Sequence, residues 1–366
     1  MARYFPLLRE ITEAILITAP VKGLTQQEPG VIRTGFQIKP ISTLRKQLKQ
    51  NWFLSRLHTC ILPDDKVVYQ IWYLIHYLIK CHRKSDLIIT VSNPFSSHLI
   101  GLTLKYIRGH SWIADIGDVY THSPKNHGIS KLKQTFEDLV LREADHVIVN
   151  AQSLKEFYHE HRGMAEDKIS VIPNGISVAP SMIAHQPSDT LRLSYIGNTY
   201  GGIREGLREM EVLLTTIRKQ IPTKCRIHLF GSQFHELENL ALQNIDCVTL
   251  DTCRNDFELA DAYSKTDILL NFANSDYPGL PSKLEEYVAT GLPIINFYYS
   301  KDEASISFLN STKCRVFHVN LKHPELASLH DFFKTIQAGA QTSSTNDSIP
   351  LKEHWHEVLS MHHFVF

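Results

Sequence analysis

The sequence predicts an α/β fold made of two Rossmann-like, doubly wound domains. Three observations carry that expectation. The 366 residues exceed the length at which one hydrophobic core usually stops growing. Short β-branched runs alternate with longer helical patterns along most of the chain, as βαβ units and a parallel sheet require. The alternation breaks once, near the middle, in a stretch rich in Pro, Asn, Gly and Ser.

In the first half, strands are predicted at Ala14 to Thr18, Leu87 to Val91, Trp112 to Ile116, His146 to Val149 and Ile169 to Ile172. Apolar residues at helical spacing predict helices over Asp65 to His82, Ser96 to Arg108, Lys131 to Glu143 and Ser153 to His161. Ser153 and Glu156 have the spacing of a capping box, in which each side chain satisfies an amide left open at a helix start. Pro173 to Thr190 is irregular and is taken as the linker, giving domains 1–180 and 181–366.

The alternation then restarts. Strands are predicted at Arg192 to Ile196, Arg226 to Phe230, Cys247 to Leu250, Ile268 to Asn271 and Ile294 to Phe297. Helices are predicted over Glu205 to Lys219, Glu236 to Leu242, Phe257 to Ser264 and Pro281 to Thr290, followed by a terminal helical region. Thr342 to Asp347 is small and polar, as a loop is, and Leu351 to Met361 is predicted as a helix carrying Trp355.

Hydrophobic residues are 43% and charged residues 21% of the chain, near the soluble globular average. Residues 1–180 hold 22 Lys and Arg against 16 Asp and Glu, a net +6 that the remainder cancels. That asymmetry gives the first domain an attraction for anionic partners, a phosphorylated substrate or an anionic membrane surface, although a featureless spread of charge accounts for it equally well. The neutral total and the lack of a recognisable module argue against nucleic-acid binding. Six scattered cysteines with no C-x-x-C pair read as free thiols rather than a zinc site or a disulfide framework. No signal-peptide core forms at the N-terminus, and no run reaches the roughly 18 apolar residues of a membrane span. A cytoplasmic protein is expected. Leu44 to Leu57, apolar at helical spacing with four basic residues, suits either a surface helix or an interfacial one that brings the protein to a membrane.

Asn274 to Asn296 is the most informative stretch. Gly279 allows close approach of backbone, and Pro281 suits a first helical turn because its missing amide hydrogen would have been unpaired there. A helix opening at Pro281 aims free amides and the positive end of its dipole at the preceding loop, a cradle for a diphosphate, with Lys283 as a mobile cation. Glu286, one turn further on, can accept two hydroxyl hydrogen bonds of a ribose. The plainer alternative is an amphipathic helix with Lys283 and Glu286 as a surface ion pair.

The string reads Pro281, Ser282, Lys283, Glu286 and Tyr287, then Ala289, Gly291 and Pro293. It resembles the donor-binding segment of retaining glycosyltransferase family four, in the Pro-Ser-Lys-x-x-Glu-Tyr variant found in bacterial surface-polysaccharide synthesis. Val171 to Ile176, Ala144 to Lys155 and Asp86 to Asp118 resemble the family's first-domain strands and loops, so the resemblance spans about residues 86 to 300. It implies the GT-B fold, two Rossmann-like domains facing a central cleft. The implied activity is metal-independent sugar transfer from a nucleoside diphosphate sugar, a substrate rather than a cofactor, to a glycan or lipid-linked acceptor.

The resemblance also implies residue roles. Glu286 binds the ribose, and Gly279, Leu280, Pro281, Ser282 and Lys283 serve the donor's phosphates or sugar. The glycine-rich turn with Gly197, Asn198 and Arg204 approaches the diphosphate, and Asp118 faces the acceptor; His122 is the candidate to substitute for a missing imidazole beside it, against the plainer alternative that one of 20 histidines is structural or exposed. Three positions depart from the family pattern: Gly117 stands where a basic or imidazole side chain is usual, Asn198 where an arginine is, and Pro278 where a first glutamate is. Two other functions therefore stay open, a nucleotide-sugar 2-epimerase and a non-catalytic GT-B-like binding module.

Overall fold

The computed structural model describes residues 8, 16–18, 31–33, 64, 67–80, 87–92, 94–121, 131–174, 183, 185–186, 188–197, 225–231, 248–251, 253, 255–272, 278–325, 328–337 and 358–360. The expectations for residues 44–57, 205–219, 236–242 and 342–347 and for Trp355 lie outside them. Two compact units divide the chain. The first comprises Met1–Pro173 with Pro350–Phe366, and the second Asn174–Ile349. The final residues, placed by sequence in the second domain, group with the first because Val358 and Leu359 pack on Ile113, Ile148 and Ile172.

In the first unit, β1 (Leu16–Thr18) and β2 (Val31–Arg33) form a parallel pair. The main sheet is parallel throughout and keeps chain order: β3 (Leu87–Val91), β4 (Ser111–Ile116), β5 (His146–Val149) and β6 (Ile169–Val171). Helices α1 (Val67–Lys80), α2 (His98–Arg108), α3 (Lys131–Glu143) and α4 (Gln152–Arg162) alternate with these strands. Gly101 is what lets α2 lie against β4: a Cβ there would come within 2.1 Å of the fully buried Trp112 ring. The capping box is not formed. Helix α4 starts at Gln152 with Ala151 as its N-cap and no side-chain cap bond, which puts Ser153 inside the first turn instead of before it.

The second unit holds six parallel strands in the order β9-β8-β7-β10-β11-β12. They are β7 (Leu191–Ile196), β8 (Cys225–Phe230), β9 (Val248–Asp251), β10 (Ile268–Phe272), β11 (Ile294–Tyr298) and β12 (Val316–Asn320). This is the 3-2-1-4-5-6 order of a Rossmann sheet. Every residue of β7 and β10 is buried, as strands covered on both faces must be. Helices α5 (Asp256–Ser264), α6 (Leu284–Thr290), α7 (Ala304–Asn310) and α8 (Leu329–Gln337) complete the described elements. Asn255 caps α5 by accepting from the Glu258 amide at 2.9 Å. At the amino edge of the sheet, Asp267 takes the Arg192 guanidinium on both oxygens at 3.1 and 2.9 Å and His185 at 2.9 Å, which ties the linker down. Among the described residues no helix is long and apolar enough to cross a membrane.

Candidate functional site

In a sheet of this order the strand direction of build-up reverses between β7 and β10, and ligands of such sheets sit beyond the carboxyl ends at that switch point. Gly197 leaves β7 there, and the segment Pro278 to Lys283 follows β10. Asn198 and Arg204 lie outside the described residues.

The chain after β10 differs from its expected form. Helix α6 opens at Leu284, not Pro281, because the Leu284 amide is already taken by the Pro281 carbonyl at 2.9 Å in a tight turn centred on Ser282 and Lys283. Leu280 and Leu284 are both buried and pull that turn onto the core. The first amide of the helix is therefore unavailable to a phosphate. Gly291, at φ 72°, ends the helix after two turns and sends the chain into β11.

Lys283 and Glu286 are brought together, yet not as a surface pair. Glu286 is 1% exposed, and its Oε1 accepts from the Lys283 ammonium at 2.9 Å and from the Tyr263 hydroxyl of α5 at 2.7 Å. Lys283 keeps about a quarter of its side chain in solvent. Burial, then the neighbouring Tyr287 and Glu286, drives the Tyr263 hydroxyl far above the usual phenol range, so it stays a donor at any working pH. The next residue, Tyr287, accepts from the Ile196 amide at 2.8 Å and donates to the Ile196 carbonyl at 3.1 Å. One helix thus carries an anchor to the end of β7 and a carboxylate with two donors beside it. Sequence reasoning missed Tyr263, whose only signal is an aromatic hydroxyl on the buried stripe of α5 with Leu259 and Ala262.

At the carboxyl edge of the first unit's sheet, Asp118 is exposed while Val119 and Tyr120 behind it are buried. Glu137 of α3, fully buried, holds this turn. Its Oε1 accepts from the Tyr120 amide at 2.9 Å, and its Oε2 accepts from the Thr121 hydroxyl and from Arg162 at 3.2 Å. Arg162 also donates to Thr121 at 2.6 Å, and Phe95 stacks on Tyr120 at 4.3 Å. Burial raises the Glu137 carboxyl against the pull of these donors. The clue in the sequence is an acid on the same helical stripe as Val140 and Leu141. His122 lies outside the described residues, so Asp118 is the part of the expected acceptor-side pair that the structure places.

His98 lies beneath the same edge, fully buried, with Nδ1 2.8 Å from the Thr90 hydroxyl and Nε2 2.9 Å from that of Ser92. Burial lowers it to about 3, so the ring is neutral. Trp112 donates to the Thr90 oxygen at 2.7 Å. Every group is satisfied when Thr90 donates to Nδ1 and Nε2–H donates to Ser92.

Residues 107–179 match the family model described as Glycosyltransferase Family 4. That stretch runs from the end of α2 to just past β6. No curated protein matches the chain. Among solved structures, the chain is similar to a UDP-GlcNAc 2-epimerase from Neisseria meningitidis bound to UDP-GlcNAc, at 11% identity and TM-score 0.57, over 98% of this chain and 96% of that one. It is similar to the N-terminal domain of trehalose-6-phosphate phosphatase from Candida albicans at 12% identity and TM-score 0.55, over 91% and 80%. A glycosyltransferase from Rickettsia africae ESF-5 follows at 15% identity and TM-score 0.52, over 91% and 79%. At these identities the likeness is one of fold: the α/β, Rossmann-like units of the GT-B class.

Proposed function

We propose that the chain is a glycosyltransferase that moves a sugar from a nucleoside diphosphate donor to a glycan or lipid-linked acceptor, retaining the anomeric configuration and needing no metal. The observation that carries this is the Tyr263–Glu286–Lys283 cluster at the β7/β10 switch point. The family match over residues 107–179 supports the same reading. In it, a ribose hydroxyl replaces the Lys283 ammonium on Glu286, while Tyr263 keeps its own bond and holds the carboxylate in place. Lys283 turns to the diphosphate, joined by Arg204, Gly197 and Asn198, and Gly279, Leu280, Pro281 and Ser282 border the donor sugar. The charge that develops on the leaving diphosphate is met by preorganised cations and dipoles. Asp118 and His122 serve the acceptor. The working place is the cytoplasm, with peripheral contact at a membrane where the acceptor is lipid-linked.

A panel of nucleoside diphosphate sugars tests this by thermal unfolding. A true donor at 100 times its dissociation constant stabilises by ~2.7 kcal/mol. Glu286→Gln keeps the side chain's shape and Tyr263's partner, and is expected to lose about tenfold or more in donor affinity with little change in its own unfolding temperature. A wild-type chain stabilised by no member of the panel, or a Gln variant that binds as wild type does, overturns the assignment. A second reading, a nucleotide-sugar 2-epimerase, is favoured by the near full-length likeness to the Neisseria meningitidis enzyme. It predicts that the donor alone, with no acceptor, is converted to its epimer, which proton NMR of the incubation reads directly.

A further inference from the structure

Two residues that leave the first unit's sheet side by side have no part in the reading above. The β4/β5 register ends with Ile116 opposite Val149, so Gly117 and Asn150 come next on the two strands. Asn150 is 9% exposed, and its amide oxygen is buried without a hydrogen-bond partner among the described residues. A Cβ built on Gly117 would lie 3.6 Å from Asn150 Nδ2 and, among the described residues, touch nothing else. Alternation along β4 puts Asp115, 8% exposed, on the same face as Gly117. Further back on that face, Ile148, next behind Asn150, and Ile113, next behind Asp115, belong to a single apolar cluster. The face therefore turns from apolar to polar at its carboxyl edge, where parallel sheets take their ligands.

We infer that Asn150 and the space beside Gly117 form a hydroxyl-binding site for a neutral sugar, the acceptor if the transferase reading holds. A buried acceptor left without a donor costs about 1–3 kcal/mol, and native proteins keep such groups where something else satisfies them. An amide offers one acceptor and two donors in a plane, and a sugar hydroxyl both gives and takes a hydrogen. An anion fits poorly, since it brings no hydrogen to the amide oxygen and the Asp115 carboxyl shares that face. The glycine is the second half of the site: any side chain at position 117 occupies the place where the sugar oxygen meets Nδ2. As its contact at 3.6 Å is an ordinary one, alanine is tolerated there by the fold.

The test needs no donor. In full-length protein carrying 15N-asparagine, the Asn150 side-chain resonance is identified by its loss in Asn150→Asp. Methyl glycosides of glucose, galactose, mannose and N-acetylglucosamine are then titrated in, with saturation transfer to the glycoside measured in parallel for every variant. At least one glycoside is expected to shift the Asn150 resonance saturably. Gly117→Ala, with an unchanged unfolding temperature, and Asn150→Asp are each expected to bind it about tenfold more weakly. The inference is overturned if no glycoside moves that resonance, or if both variants bind as the wild type does. A glycoside response from a protein that no nucleotide sugar stabilises sinks the transferase reading and leaves this site standing.

Discussion

Three carboxyl groups shut away from solvent show how much their surroundings decide. Glu286 has an ammonium and a phenol on one oxygen; Glu137 is held by an amide, a hydroxyl and a guanidinium. Asp115 is buried with far less help, and desolvation pushes it up to about 7. An unfolded aspartate titrates at ~3.9, so between these values the folded chain binds a proton that the unfolded chain releases. Its contribution to stability is complete below about pH 4 and is lost as pH rises through about 7. Asp115→Asn removes the ionisation and keeps the shape. It is expected to raise the free energy of unfolding by up to a few kcal/mol at pH 8 and by almost nothing at pH 4, because each tenfold change in proton affinity is worth about 1.4 kcal/mol. Urea unfolding at the two pH values checks this, and an equal effect at both would falsify the burial assigned to the group.

Among the elements, the contact of α2 with β4 depends on one missing side chain. Trp112 is pinned by its bond to Thr90 and has no room to swing from a methyl group on Gly101. Gly101→Ala is therefore expected to destabilise the first unit by about 1–3 kcal/mol despite the better helix propensity of alanine. A gain in unfolding temperature would show that the helix sits further from the sheet. The same level of description shows what the sequence could reveal. Strands β3 and β5 and helix α3 have the ends their patterns imply, because continuous β-branched runs and a 3.6-residue stripe are local signals. Strand β2, three residues long, carries too little pattern to be read. Strand β12 has one buried residue, Val319, at the sheet's edge and alternates too weakly to separate from the helical region around it. The start of α6 differs because a turn closed by Pro281 competes with a helix that proline could equally open. Lys283 and Glu286 are legible from spacing, whereas Tyr263 reaches Glu286 from another helix, and no periodicity announces such a partner.

At the scale of the whole chain, the cluster proposed to hold the nucleotide is built within Asn174–Ile349, and the Gly117–Asn150 pair inferred to hold a sugar within the other unit. Binding free energy therefore lands first on different parts of the fold. Hydrogen exchange is expected to slow in β7, β10 and α6 when the stabilising nucleotide sugar is added, and at the ends of β4 and β5 when a methyl glycoside is added. Protection that spreads evenly over both units in each case would contradict separate sites. Because Pro350–Phe366 completes the first unit, the second is an insertion in sequence between that unit's two pieces. During translation, Ile113, Ile148 and Ile172 must wait for Val358 and Leu359 to leave the ribosome, while every described strand of the inserted unit, β7 to β12, precedes them in the chain. Nascent chains stalled before residue 358 are therefore expected to leave Ile113, Ile148 and Ile172 half-clad and to bind chaperones more than the released chain does.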